Sequence, residues 1–568
     1  MSRHVIHGNT QGLQPSQRKA LERTYRRRVP PSKVVSAELA RHLAQISNDL
    51  RRQVGVLVSR DGVIRNVIVG DAAQLMLPNI GRLRGRAGRF RGLRLVHTHL
   101  KGEPLTADDL NDLALLRLDM VTMVEVIQNG QPGRVEAAYL DPSMLAVDDG
   151  VSTNGANQSG LPPSNPFLYA RARNVQELTL DFESTIAALE DEFARVARNT
   201  SGATGTERAL VIGIQPDDDH LAETLELVRS AEVVMAGVSR QRRRRIHPKT
   251  VVGRGKLQEI VLEAMRRNAE VAIFDIDLKP AQARAFEDAT GLKAIDRTQL
   301  ILDVFAQRAR SGDGKLQVEL AQLRYSLPRL TEKDAGLSRL TGGIGGRGPG
   351  ETVMEIGRRR IRDRIRALEK RVEKLSKQRD LRRQRRRRER IPVLSIIGYT
   401  NAGKSTLLNA LTNSEIEAAD KLFMTLDPTS RRLRFPRQGK VIITDTVGFI
   451  ADLPEDLITA FRATLEELAD ANLLLHVIDA ADPRINEKIG AVESLLCDLE
   501  LSDIPILRVL NKIDLVPEDQ ADNLVRRFAA TAVSAVDRSG LETLVNTAEK
   551  HLGGSSFSPR YTTPTLSG

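Results

Sequence analysis

The stretch "IPVLSIIGYTNAGKSTLLNAL", Ile391 to Leu411, reads as an apolar strand, a glycine-bearing loop and the opening of a helix. Inside it "GYTNAGKS", Gly398 to Ser405, fits G-x-x-x-x-G-K-[ST] in the strand–loop–helix context that this pattern requires. Glycines at both ends let backbone N–H groups wrap phosphates at a helix N-terminus. Lys404 is then placed to reach the β- and γ-phosphates, and Ser405 to ligate Mg²⁺. The candidate contacts of this loop are Gly398, Asn401, Ala402, Gly403, Lys404, Ser405 and Thr406.

Downstream, "NKID" (Asn511 to Asp514) follows the apolar run "PILRVL". A carboxylate at such a strand end accepts from two adjacent donors on a guanine edge. Facing adenine, it would be buried without a partner, a discrimination on the order of 10⁴. Asp514 therefore selects guanine, Asn511 supports the other edge, and the Lys512 stem covers the base. "VSAV" (Val533 to Val536), through Ser534 and Ala535, closes that side. Asp445, after "KVIITD", is the candidate to hold Mg²⁺ through a water, with Gly448 N–H near the γ-phosphate. Thr425 in "LFMTLDPT" is the candidate second metal hydroxyl, with Thr429 as its rival. After Gly448, where many nucleotide triphosphatases carry a water-orienting glutamine, stands Phe449. Phenylalanine cannot polarise a water, so no catalytic base is assigned.

Outward from this core, 568 residues allow two to four domains. The pattern is α/β throughout: an extension at 1–145, a linker with an amphipathic helix at 146–207, a second α/β piece at 208–315, helical arms at 316–390, a nucleotide-binding domain with a mostly parallel sheet at 391–552, and a tail at 553–568. In the arms, Leu316, Leu320, Leu323 and Leu327 recur at heptad spacing, as do Ile361, Ile365, Leu368, Val372 and Leu375, which predicts an antiparallel helix pair. "GGIGGRGPGE" between them cannot hold a helix and reads as a loop. Residues 331–390 carry 21 Lys+Arg against 9 Asp+Glu, an excess of 12 that equals the net charge of the whole chain. With almost no aromatics, that density fits a phosphate backbone as partner. One cysteine, no secretory-type leader and no eighteen-residue apolar run point to a cytoplasmic protein without a membrane span, expected to be monomeric.

Residues 208–552 resemble the HflX family of translation-associated GTPases. The resemblance is carried by "VVGRGKLQEI", "AIDRTQLILDVFAQRARSGDGKLQVELAQLRYSLPRL", "GGIGGRGPGET" and "LFMTLDPTSRRL". It implies an N-terminal α/β domain, a helical linker and a GTPase domain that turns GTP into GDP. It also implies binding to the large (50S) ribosomal subunit and its rRNA, and dissociation of stalled or idle ribosomes. On that reading the loop around Arg347 meets RNA, as do Arg243 and Arg244 of "RQRRRRIHP". Arg385 and Arg386, in "LRRQRRRRER", lie between the arm and the GTPase domain. Turnover is expected to be slow without an activator. An RNA-remodelling hydrolase and a nucleotide-gated assembly scaffold are the alternatives. Gly357, where the family usually has an acidic residue, is a departure.

Residues 1–200 lie outside that common core. Within them "RLVHTHLKGEPLTADD" puts His97 and His99 on one face of a strand, with Thr106 and Asp109 following. This resembles the zinc signature of JAB/MPN metalloprotease-like domains, and "QVGVLVSRDG" resembles that fold's first strand region. The resemblance implies His97, His99 and Asp109 as zinc ligands. Gln53 stands where the acid/base glutamate is expected and Leu100 where a proline usually follows, so the signature is degenerate and implies no peptidase.

Overall fold

The computed structural model describes residues 5–78, 90–141, 166–200, 207–214, 218–241, 246–309, 311–329, 353–388, 391–412, 429–435, 439–445, 448–449 and 468–554. Two compact units emerge, one of residues 1–221 with 233–296, the other of residues 222–232 with 297–568. Thr425, Arg243, Arg244, Arg347, the loop 342–350 and the linker 146–165 fall outside the described residues.

The first unit holds two sheets. Strands β1 (Ile6–Gly8), β2 (Val54–Ser59), β3 (Ile64–Val69), β4 (Leu93–His99), β5 (Met120–Val126), β6 (Pro132–Leu140) and β7 (Phe167–Ala172) form one, in the order β1-β3-β2-β4-β5-β6-β7. β4 and β5 run parallel, as do β1 and β3, and the other pairs are antiparallel. Helices α1 (Pro15–Thr24), α2 (Ala37–Leu50), α3 (Ala107–Leu115) and α4 (Phe182–Thr200) accompany it. Because strand side chains alternate, β2 sends Val54, Val56 and Val58 into a core with Leu39 and Leu43 of α2, and Leu57 into another core with Leu113 of α3 and Ile186 of α4. Both faces are therefore covered, which explains why β2 reads as a continuous apolar run rather than an alternation.

Helix α5 (Asp218–Ser230) spans the division between the units. β8 (Arg208–Gly213), β9 (Val234–Arg240), β10 (Val271–Phe274) and β11 (Lys293–Ile295) form an all-parallel sheet in the order β11-β10-β8-β9. Of α6 (Arg254–Arg266) and α7 (Pro280–Thr290), α6 is apolar on two sides. Leu257, Ile260 and Ala264 pack with the four-stranded sheet, and Val261 and Met265 pack with the core under α3. One helix thus joins both sheets of this unit.

In the second unit, α8 (Arg297–Arg308) leads to α9 (Gly312–Ser326), capped by the Ser311 hydroxyl, which accepts from Gly314 N–H at 2.8 Å, and then to α10 (Val353–Arg388). The leucine seams meet: Leu320, Ile365 and Leu368 are buried, with Leu316, Leu323, Leu327, Ile361 and Val372 beside them. Arg364 bonds Glu319 through two nitrogens at 2.8 and 2.9 Å, and Arg324 bonds Glu369 at 2.7 Å. Each pair joins equivalent flanking positions of the two seams, which antiparallel helices bring to the same side. Arg385 and Arg386 lie on the last turns of α10.

The sheet of the nucleotide-binding domain runs β13 (Thr429–Phe435), β14 (Gly439–Asp445), β12 (Val393–Gly398), β15 (Leu473–Asp479), β16 (Ile506–Asn511), β17 (Thr531–Ala532). All neighbours are parallel except β13, which pairs antiparallel with β14. Helices α11 (Lys404–Thr412), α12 (Ile485–Asp498), α13 (Glu518–Phe528) and α14 (Leu541–Gly554) complete it. β12 is central, and the order reverses across it, so the ends of β12, β14 and β15 open at a topological switch point. Since Leu368 is fully buried in the arm seam, Leu368→Ala is expected to destabilise the arm pair by about 2–5 kcal/mol. Amide hydrogen exchange in α9 should then accelerate; unchanged protection would show that the seam does not hold the arms together.

Candidate nucleotide site

The loop after β12 is held by sterics as much as by hydrogen bonds. Gly398 has φ +148°, and a Cβ there would stand 2.2 Å from the Val477 carbonyl oxygen; Gly403 has φ +85°, and a Cβ there would meet the Asn511 amide nitrogen at 2.3 Å. Neither position admits a side chain. Asn401, at φ 63°, takes the left-handed conformation that asparagine tolerates better than most residues. Phe449 completes the cradle from β14's side: its N–H donates to Gly398 O at 3.1 Å and its carbonyl accepts from Thr400 N–H at 2.7 Å. Its side chain is 2% exposed. Phe449 is thus a buried strut of the loop, with nothing to offer a water.

Lys404 opens α11 and is buried; its ammonium donates to the Tyr399 carbonyl at 2.7 Å. Burial pushes it down to about 8, against the opposing pull of Asp445. The Ser405 hydroxyl donates to Asp445 at 3.0 Å, so the two candidate Mg²⁺ groups already adjoin. A Cβ on Gly448 would come within 2.9 Å of the Lys404 ammonium, which places this glycine's backbone beside the candidate phosphate-binding lysine. Thr429 opens β13 directly opposite Asp445 in the ladder.

The Asn511 amide ties the loop after β12 to the loop after β17. It donates to Ala402 O at 2.9 Å and accepts from Ala535 N–H at 3.0 Å, with 2% of the residue exposed. Lys512, at φ 62°, turns sharply and pairs with Asp479 at 2.7 Å. Asp514 is exposed in the short turn Ile513–Leu515, and Ser534 is buried. The candidate phosphate loop, the Asp514 turn and the Ser534–Ala535 loop therefore follow the C-terminal ends of the parallel strands β12, β16 and β17.

Comparison with known proteins fits this arrangement. Residues 218–306 match the N-terminal region of GTP-binding GTPases, 308–386 their middle region, and 393–512 a family described as 50S ribosome-binding GTPases. The GTPase HflX of Caldanaerobacter subterraneus subsp. tengcongensis is 48% identical over 353 residues, covering 62% of this chain and 82% of that one. The chain belongs to the HflX family. The Escherichia coli (strain K12) GTPase HflX is also 48% identical, over 55% of this chain and 74% of its own length. Among solved structures, a GTP-binding protein from Sulfolobus solfataricus in complex with GDP aligns over 61% of this chain and 99% of that one, at 24% identity and a TM-score of 0.35. As an HflX-family member the protein is a GTP hydrolase.

Sequence reasoning missed a buried group behind the loop. The Tyr399 hydroxyl donates to Glu223 at 2.7 Å. Glu223 is held from its other oxygen by Arg297 at 2.8 Å, and Arg297 also donates to the Thr224 hydroxyl at 3.1 Å. No local pattern marks these residues, which lie 176 and 74 positions apart along the chain. In the other unit, His97, His99 and Asp109 do come together: the two Nε2 atoms are 2.9 Å apart, and Asp109 oxygens stand 3.1 and 3.6 Å from them. Gln53, His99 and Asp109 border one cavity.

Two outcomes follow from this geometry. Tyr399→Phe strips the Glu223 carboxylate of one buried partner and is expected to lower unfolding stability by about 1.5–3 kcal/mol and to speed GDP release; an unchanged urea midpoint would show the bond to be dispensable. Free Lys404 is charged below pH 8 and neutral above it, and phosphate restores the charge. GDP affinity should therefore be flat below pH 8 and fall above it, by up to about tenfold per pH unit. Calorimetry across that range checks this, and a pH-independent affinity would mean that Lys404 stays charged throughout.

Proposed function

We propose that this GTPase binds the large ribosomal subunit, uses its nucleotide state to control that association, and dissociates stalled or idle ribosomes. The observation that carries the reading is Phe449, buried and committed through its backbone to the phosphate loop. With that side chain unable to aim a water, the family's hydrolysis is slow alone and waits for a partner, where ~10³–10⁵-fold can be gained in trans. The excess positive charge of residues 331–390 supplies the attraction toward ribosomal RNA. The description of the matched family as 50S ribosome-binding supports the same partner.

The donor set fits Mg²⁺. Ser405 and Asp445 present a hydroxyl and a carboxylate side by side at the cradle, the hard oxygen donors that this ion takes alongside phosphates and waters. Bound there, Mg²⁺ would neutralise charge on the β- and γ-phosphates. Lys404 and the loop N–H groups neutralise the rest, Asp514 selects guanine, and Asn511 keeps the loops at their spacing. Gly448, next to Lys404, reports the γ-phosphate to the segment that follows it.

GTP turnover by the protein alone and with added 50S subunits, at several salt concentrations, tests the proposal. Strong stimulation that fades as salt rises is expected. Stimulation by naked rRNA as strong as by 50S would favour an RNA-remodelling hydrolase. Demonstrated 50S binding without stimulation would overturn the mechanism and leave a nucleotide-gated scaffold, in which hydrolysis is incidental.

A further inference from the structure

We propose that the cavity of the first unit binds a small organic anion, whose carboxylate or phosphate group is held by the guanidinium of Arg117 with Arg91 beside it. The local backbone puts Arg117 there. Helix α3 ends in a two-bond cap, in which Leu118 N–H donates to Leu113 O at 3.0 Å and Arg117 N–H donates to Ala114 O at 3.1 Å. Such a cap needs a left-handed residue just past the helix, a place that glycine usually fills. Here that residue is Arg117, at φ 51°, so a long charged side chain stands where a bare backbone would be easier.

The side chain is buried without a partner. Arg117 is 7% exposed, and among the described residues no hydrogen bond, ion pair or aromatic ring meets its guanidinium. The other buried arginines are provided for: Arg297 pairs with Glu223 at 2.8 Å, and Arg94 lies 4.0 Å from the centre of the Phe182 ring. The carbonyl at the end of α3 already has a cation, because Arg91 Nε donates to Leu116 O at 2.9 Å. Burial and the like charge of Arg91 both hold the Arg117 guanidinium below the ordinary arginine range, yet an arginine stays charged in proteins. A buried cation in this state costs stability until something from outside the chain pairs with it.

Arg117 and Arg91 line a cavity of about 820 Å³, room enough for a small organic molecule. The other charges on its wall mostly have partners: Asp108 holds Arg254 at 2.6 Å, Glu207 holds Lys293 at 3.6 Å, and Asp109 faces His97 at 3.1 Å. Asp112 lines the cavity too, but the charge that acts on Arg117 is that of Arg91, so no carboxylate of the chain answers it. A planar guanidinium makes two parallel bonds to a carboxylate or a phosphate, the group this site lacks. Leu115, Leu116 and Leu292 on the same wall favour an anion with an apolar body over a bare ion. Asp109 is in the first turn of α3 and Arg117 lies past its last, roughly 10 Å further along the helix axis, so the anion end is separate from the histidine cluster.

The test uses the full-length protein, held in excess Mg²⁺ and GDP so that the nucleotide site is filled, with benzoate and phenyl phosphate as probes in calorimetric titrations. Saturable binding of one molecule per chain is expected for at least one probe, and which one binds tells whether the site takes a carboxylate or a phosphate. Arg117→Met keeps the stem and removes the charge. It should weaken that binding by about 30-fold or more. The melting temperature of the probe-free variant should be unchanged or raised, because an unpaired buried cation is gone. Full binding by Arg117→Met, or a melting temperature lowered by that change, gives Arg117 a structural role and overturns the proposal. So does the absence of saturable binding of either probe to the wild-type protein, whatever the variant does.

Discussion

Asn511 sets the spacing on which the nucleotide site depends. A single side-chain amide holds the candidate phosphate loop at Ala402 and the candidate base-side loop at Ala535. It lies so close to Gly403 that no side chain could stand between them. These are buried, directional bonds made at both ends, so losing either partner would leave an unpaired amide atom in the interior. The loop is framed on several sides: Gly398 pairs with Val477 in the sheet, Asn511 leaves no room for a side chain at Gly403, and Thr400 N–H donates to the Phe449 carbonyl. A site meant to discriminate a charged, flexible ligand gains from that stiffness, because fewer groups must be ordered when the ligand arrives.

The frame also reaches beyond the nucleotide-binding domain's own sequence. Tyr399, inside the phosphate loop, ends on Glu223, and Glu223 is satisfied by Arg297 at the first residue of α8. α8 continues through α9 into the arm seam. A buried carboxylate with only one of these partners would be costly, and with both it fixes a geometry. Part of the second unit thus carries a polar chain from the phosphate loop to the base of the arms. Lys488 adds a cation 4.7 Å from the Tyr399 ring centre, so both ends of that tyrosine are restrained.

The first unit solves a different problem. β2 is apolar on both faces because helices cover both, and α6 serves two cores at once. Against that apolar background, the buried His97 and His99 and the part-buried Asp109 stand out as a polar group whose nitrogen and oxygen atoms come together. Polar atoms in such a place need compensating partners, and here the partners are mostly one another.

Much of this was legible along the chain. "GYTNAGKS" after an apolar strand fixes a phosphate loop because its glycine and lysine spacing is a local requirement of backbone geometry. The heptad leucines of the arms name their own seam, and alternation on β4 puts His97 and His99 on one face. The role of Asn511 was only half legible: "NKID" marks it as a candidate for the base side, but its amide is spent on Ala402 and Ala535, partners 109 and 24 residues away. Phe449 likewise showed by its chemistry what it cannot do, whereas its backbone role in holding the loop needed the sheet. Local chemistry can be read along the chain, namely which residues are able to cradle phosphate, choose a base or ligate a metal. Which of them meet is a matter of the folded chain, because the bonds of Asn511, the Tyr399–Glu223–Arg297 chain and the approach of Asp109 to two histidines join residues far apart in sequence, which no local pattern encodes.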